Sequence, residues 1–120
     1  MPTVLIVEDD PFVALHLRAM VVETDGVEVV LAASVLAARQ SLRDRIALAL
    51  LDIRVRDGTT YELARQLLSD GVRFVFVSGA PQAEVPRDLQ VVPFLAKPCS
   101  TRKISQIVEN ALRSLTPRFA

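Results

Sequence analysis

Runs rich in valine, isoleucine and leucine recur along the chain at Val4–Val7, Val27–Ala32, Ala47–Leu51, Val72–Val77 and Val91–Leu95. Each is short and nearly continuous, where a strand with one wet face would alternate apolar and polar positions. Continuity predicts strands buried on both faces, as in a parallel sheet covered by helices. The intervening segments carry helical spacing. Asp10 is placed to cap a first helix running from Pro11 to Thr24, with proline at its first position and Phe12, Leu15, Met20 and Val22 as core candidates. Ser34 is placed to cap a second, with Val35, Ala38 and Leu42 inward. A third spans about Thr60 to Ser69, with Leu63, Ala64, Leu67 and Leu68 on one face and Gly71 ending it. The last starts at Ser100 and aligns Ile104, Ile107, Val108, Ala111, Leu112 and Leu115 in one stripe. Alternating strands and helices of this kind predict an α/β doubly wound parallel sheet with helices on both faces. The weak element is the fourth helix. Residues 78–90 read SGAPQAEVPRDLQ, where Pro81 can open a helix but Pro86 breaks it after about one turn, so this segment is expected to be short, irregular or mobile. Pro117 to Ala120 reads as a tail.

Composition narrows the function classes. At 120 residues, with 51% hydrophobic residues, the chain is the size of one domain with a substantial core. Basic and acidic residues balance at 14 each, which gives no electrostatic footprint for nucleic acid or an anionic membrane. The single cysteine, Cys99, excludes an intrachain disulfide framework and a multi-cysteine metal site. It fits a reducing compartment and makes the cytoplasm the expected location. No apolar run approaches the ~20 residues of a bilayer span, and no basic region precedes the first apolar run.

Candidate chemistry sits at the strand ends. In a doubly wound sheet the functional crevice lies beyond the carboxyl ends of the strands. The first strand ends in Glu8-Asp9-Asp10, the third in Asp52 and the fourth in Ser78, while Lys97 follows the fifth. Carboxylates converging there would repel one another unless a cation neutralised them. Oxygen donors with no histidine or cysteine nearby suit Mg2+. A carboxylate beside such an ion, a hydroxyl and a lysine has the groups that a phosphoryl acceptor needs.

The segments VLIVEDDPF, LALLDIRVRDG, FVFVSGA and PFLAKP make the chain resemble, from Val4 to Leu115, the receiver domains of bacterial two-component response regulators. The resemblance implies a CheY-like, flavodoxin-like fold of strand order 2-1-3-4-5, in one receiver domain over residues 1–120. It implies Asp52 as the phosphoacceptor. Glu8 and Asp9 become the acidic pair that binds Mg2+, Asp9 directly and Glu8 mainly through water, while Asp10 is left as a helix cap. The backbone carbonyl of Arg54 becomes a further metal ligand. Ser78 takes the place of the switch hydroxyl, Lys97 that of the lysine pairing with the phosphoaspartate, and Phe94 that of the aromatic switch. A cis bond is implied between Lys97 and Pro98. Arg54 and Ala80 flank the path of the attacking water in the family. The implied donors are a sensor histidine kinase or a histidine phosphotransfer protein, and the output is contact with an unidentified downstream protein. Asn110, Arg113 and Arg118 lie on a helix often used for dimer contacts in the family, so a homodimer is compatible with the pattern. The shortened fourth helix resembles a subgroup of single-domain receivers, and an output module after Ala120 stays open.

Each residue also has a structural reading. Asp9 and Asp10 can be plain caps, Ser78-Gly79 a turn, Lys97 a snorkelling surface residue and Phe94 core packing. His16 and Cys99 read as structural. Two rival functions remain. A phosphorylation-independent interaction module of the same fold would lose the acids or the lysine, all of which are present. A flavodoxin-like cofactor binder would need a phosphate loop rich in glycine or hydroxyls where this chain has acids.

Overall fold

The structure is a computed structural model that describes residues 1–42 and 45–114. Five parallel strands, β1 (Thr3–Val7), β2 (Glu28–Ala32), β3 (Ile46–Leu51), β6 (Phe74–Ser78) and β7 (Phe94–Ala96), form one sheet in the order β2-β1-β3-β6-β7. Counted among themselves, these strands give the expected order 2-1-3-4-5. A small antiparallel ribbon, β4 (Arg54–Val55) with β5 (Gly58–Thr59), interrupts the connection after β3. The helices are α1 (Pro11–Val21), α2 (Val35–Ser41), α3 (Tyr61–Ser69) and α4 (Thr101–Arg113).

Successive residues of each central strand point to opposite faces, so each strand feeds two cores. Leu5, Val7, Ala49, Leu51, Phe74 and Phe76 pack with Ala38 of α2 and Leu63, Ala64 and Leu67 of α3. Val4, Ile6, Leu48, Leu50, Val75 and Val77 pack with Leu17, Met20 and Val21 of α1 and Ile104, Val108 and Ala111 of α4. Burying each such large side chain stabilises the fold by roughly 1.5–3 kcal/mol. Asp10, Ser34 and Ser100 cap α1, α2 and α4 through their side-chain oxygens, as their types predict. Gly71, at φ +72°, ends α3: its N–H donates to the Leu68 carbonyl and that of Val72 to Leu67, the paired bonds of a left-handed helix stop.

Several sequence expectations are corrected. Phe12 (84% exposed), Leu15 and Val22 face solvent, as does Leu68 of α3. The face of α1 that meets the sheet is centred on Ala14, Leu17 and Val21; at about 100° per residue Phe12 falls opposite it, and Leu15 and the C-cap residue Val22 fall on one flank. The first helix stops at Val21, short of Thr24. β2 is an edge strand and is only partly buried, unlike the continuous burial expected of it. β6 starts at Phe74 because Val72 is used to close α3. β7 starts at Phe94, and Val91 is 80% exposed. Leu115, Arg118 and Pro117–Ala120 lie outside the described residues.

The segment after β6 has no α-helix. It forms two 3-10 turns, Gln82–Glu84 and Arg87–Leu89, in line with the prolines before each. Val85 and Leu89 bury their side chains against the α2/α3 core. Arg65 of α3 grips Asp88 through two bonds of 2.8 and 3.2 Å, Arg54 pairs with Glu84 at 2.8 Å, and the Gln90 amide donates to the carbonyls of Gln82 and Val85. The ion pairs are exposed and contribute little after solvent screening. The apolar anchors dominate. Leu89→Ala is expected to cost about 2–5 kcal/mol and to speed amide exchange across residues 79–92, whereas Arg65→Ala leaves that exchange near wild type; hydrogen exchange on the two variants checks the ranking.

Candidate functional site

Parallel strands deliver their carboxyl ends to one edge, and the backbone ladder extends just far enough to fix the residues beyond them. The Glu8 N–H donates to the Ala32 carbonyl at 3.0 Å, the Asp52 N–H to Val7 at 2.9 Å, and the Lys97 N–H to Ser78 at 3.0 Å. Each acid or base therefore leaves the sheet from a rigid position. Carboxylate oxygens of Glu8, Asp9 and Asp52 lie within 4.8 Å of one another. The Lys97 ammonium donates to Glu8 Oε1 and, at 3.2 Å, to Asp52 Oδ2. The other oxygens are also held: Glu8 Oε2 accepts from the Asp10 N–H at 3.2 Å, and Asp52 Oδ1 from the Ile53 N–H at 2.8 Å. Asp10 caps α1 by accepting from the N–H groups of Phe12 and Val13, and it does not join the acidic cluster.

Burial pushes the Glu8 carboxyl above its ordinary value, against the opposing hydrogen bonds from Lys97 and the Asp10 N–H. Burial pulls the Lys97 ammonium down, but the Glu8 hydrogen bond and the charges of Asp52 and Glu8 outweigh it and leave the group above its ordinary value. Three carboxylates meet one ammonium, so the cluster is net negative and offers hard oxygen donors.

The remaining sequence candidates lie around this cluster. Ser78 is buried at the end of β6, and its Oγ accepts from the Ala80 N–H at 3.2 Å. Phe94 is half-buried, pairs in register with Phe76 and packs against the α2/α3 core. The Lys97–Pro98 bond is cis. The Arg54 side chain turns away to Glu84. His16 is exposed on α1, and Cys99 is half-buried with its thiol pushed up by burial. Asn110 and Arg113 are exposed and bond to each other at 2.7 Å.

Two residues escaped the sequence reading. Asp57, at the tip of the β4–β5 ribbon, accepts from the N–H groups of Val35 and Leu36 at 2.7 and 3.0 Å and so caps α2 from a distant point in the chain. Thr60 is fully buried and donates from its hydroxyl to the Asp52 carbonyl at 2.6 Å. The Asp-Gly turn signal was visible, but its contact with α2 spans more than twenty positions and has no local signature.

By sequence alone the chain matches no protein-family model and no curated protein. By structure it is similar to a CheY-like response regulator receiver domain from Methylobacillus flagellatus, with TM-score 0.79 and 20% identity over 92% of this chain and 98% of that one. SdrG from Sphingomonas melonis Fr1 matches with TM-score 0.77 and 27% identity over 93% and 97%. The response regulator TrrA from Thermotoga maritima, determined in complex with Mg2+ and BeF, matches with TM-score 0.80 and 16% identity over 92% and 99%. The chain thus has the flavodoxin-like fold of the CheY-like receiver domains of two-component response regulators.

Two expectations follow from these contacts. Lys97→Met strands the buried Glu8 carboxylate and is expected to lower unfolding stability by about 1–3 kcal/mol, while adding Glu8→Gln recovers most of the loss; urea unfolding of the single and double variants reads this. The backbone N–H groups of Val35 and Leu36 hold the Asp57 carboxyl below its ordinary 3.8. A lowered folded value contributes stability that is present above pH 3.8 and is lost as pH falls through the folded value. The gap in melting temperature between wild type and Asp57→Ala is therefore expected to be open at pH 7 and to close below pH 3.8.

Proposed function

We propose that this chain is a phosphoacceptor receiver, acting as a single domain over residues 1–120, in which Asp52 accepts a phosphoryl group from a phosphohistidine. The observation that carries the reading is the position of Asp52 Oδ2, 3.2 Å from Lys97 Nζ and clustered with the carboxylates of Glu8 and Asp9. The donor is a sensor histidine kinase or a histidine phosphotransfer protein. An oxygen of Asp52 attacks phosphorus as the bond from phosphorus to the imidazole nitrogen breaks. The electron pair returns to that nitrogen, which takes a proton from solvent. Lys97 compensates charge at the acyl phosphate so formed. The protein promotes only its own phosphorylation and dephosphorylation.

The donor set fits Mg2+, since every side chain in the cluster offers oxygen and the cluster is net negative. Glu8, Asp9, Asp52 and the backbone carbonyl of Arg54 would hold the ion. When bound, it would neutralise the carboxylates and the phosphoryl oxygens. Ser78 and Phe94 are the proposed switch pair: one leaves the β6 end beside the site, and the other sits in β7, in register with the same strand. Their rearrangement would alter the surface that a downstream protein reads. Because the 79–92 segment is already anchored through Val85 and Leu89, the switch does not require folding it from disorder. No described helix is long and apolar enough to cross a membrane, and we place the domain in the cytoplasm with its kinase.

Intact mass after incubation with Mg2+ and a small acyl phosphate is expected to show one phosphoryl adduct. Asp52→Asn and omission of Mg2+ should each abolish it. Failure with both this donor and a phosphohistidine protein would replace the reading with a phosphorylation-independent interaction module.

A further inference from the structure

α3 begins differently from the other helices. Asp10, Ser34 and Ser100 each turn a side-chain oxygen onto free N–H groups of the first helical turn. Thr60 occupies the equivalent position before α3, and threonine is a good cap, yet its side chain makes no capping bond. Its backbone sits at φ −91°, ψ 10°, outside the extended conformation of the other caps. The hydroxyl donates instead to the Asp52 carbonyl at 2.6 Å, eight positions back, and the Thr60 N–H donates to the Ile53 carbonyl at 2.9 Å. One buried residue thus holds two successive carbonyls directly after β3.

The first of those carbonyls belongs to the peptide unit joining Asp52 to Ile53. The N–H of the same unit donates to Asp52 Oδ1 at 2.8 Å. Fixing the carbonyl end of a planar peptide also fixes the direction of its N–H. A donor on the oxygen polarises the amide and strengthens the bond that its N–H gives. Oδ1 is thereby tied back to the chain's own backbone, while Oδ2 faces Lys97 Nζ at 3.2 Å.

We infer that Thr60 is a positioning residue for Asp52: its hydroxyl fixes the 52–53 peptide, and that peptide sets the rotation of the carboxylate, tying one oxygen back and turning the other to the site. The inference rests on the phosphoacceptor reading of Asp52. Reaction at a phosphoryl centre depends on the approach of the attacking oxygen, so loosening this peptide slows transfer even with the acids and the lysine in place. It also explains why α3 starts without a side-chain cap.

The test compares Thr60→Val, which keeps the shape and removes the donor, with Thr60→Ser, which keeps the hydroxyl and removes a methyl group. Phosphoryl uptake from a small acyl phosphate with Mg2+ is timed by intact mass, amide exchange at Ile53 is followed by NMR, and melting is recorded for each protein. Thr60→Val is expected to slow uptake by about tenfold or more and to speed Ile53 exchange, while Thr60→Ser restores both. Uptake at the wild-type rate in Thr60→Val overturns the inference. So does equal slowing in both variants, which would assign the effect to packing, or slowing with unchanged Ile53 exchange. If Thr60→Val does not fold, Thr60→Cys, with a weak donor of similar size, takes its place under the same criteria. If wild type itself takes up no phosphoryl group from either small or protein donors, the phosphoacceptor reading falls and this inference with it. That failure is recognised in wild type, whereas failure of the inference alone appears only in the variants.

Discussion

Lys97 reaches across the carboxyl edge of the sheet to Glu8 and Asp52, and its ammonium group offsets part of the negative charge that the acids gather there. Glu8 is buried, and an unpaired carboxylate in such a place would carry a large desolvation cost. Pairing offsets much of it, while the excess of negative charge leaves the cluster receptive to a further cation. The same arrangement suits the proposed chemistry: one positive group already stands beside the oxygen that would take up a phosphoryl group.

The geometry of that cluster is a property of the sheet. β1, β3, β6 and β7 run parallel in adjacent positions, and the ladder continues into the first residue beyond β1, β3 and β7. Glu8, Asp52 and Lys97 therefore issue from backbone whose N–H groups are held by a neighbouring strand. The loop after β3 is held in two further ways, by Thr60 beneath Asp52 and by Asp57 on the N-terminus of α2. This loop links the site to two helices, α2 and α3, and the Arg54–Glu84 pair links it to the segment after β6.

Much of this was legible in the residues. Continuous apolar runs identified β1, β3 and β6 because those strands are covered on both faces, and the cap residues placed the starts of α1, α2 and α4. The acids, Ser78 and Lys97 stood out because each interrupts or closes an apolar stretch. The errors have two causes. Phe12, Leu15 and Val22 are apolar and correctly spaced for a helix face, but helical spacing alone does not say which of two apolar faces meets the sheet. Val91 belongs to an apolar run, yet Pro93 and the turn ending at Leu89 delay the strand until Phe94.

The sequence by itself determined the alternation of strands and helices, the helix caps, the absence of a regular fourth helix and the identity of the groups at the strand ends. These are local properties, set by side-chain type, proline geometry and hydrophobic period. Only the tertiary structure decided that one oxygen of Asp52 meets Lys97 while the other is tied back to the chain, that Asp57 caps a helix more than twenty positions away, and that Thr60 bonds to a carbonyl and leaves its own helix uncapped. Each of these depends on where two distant pieces of backbone come to rest. Hydrogen bonds select partners by distance and direction, and neither is encoded until the sheet has assembled.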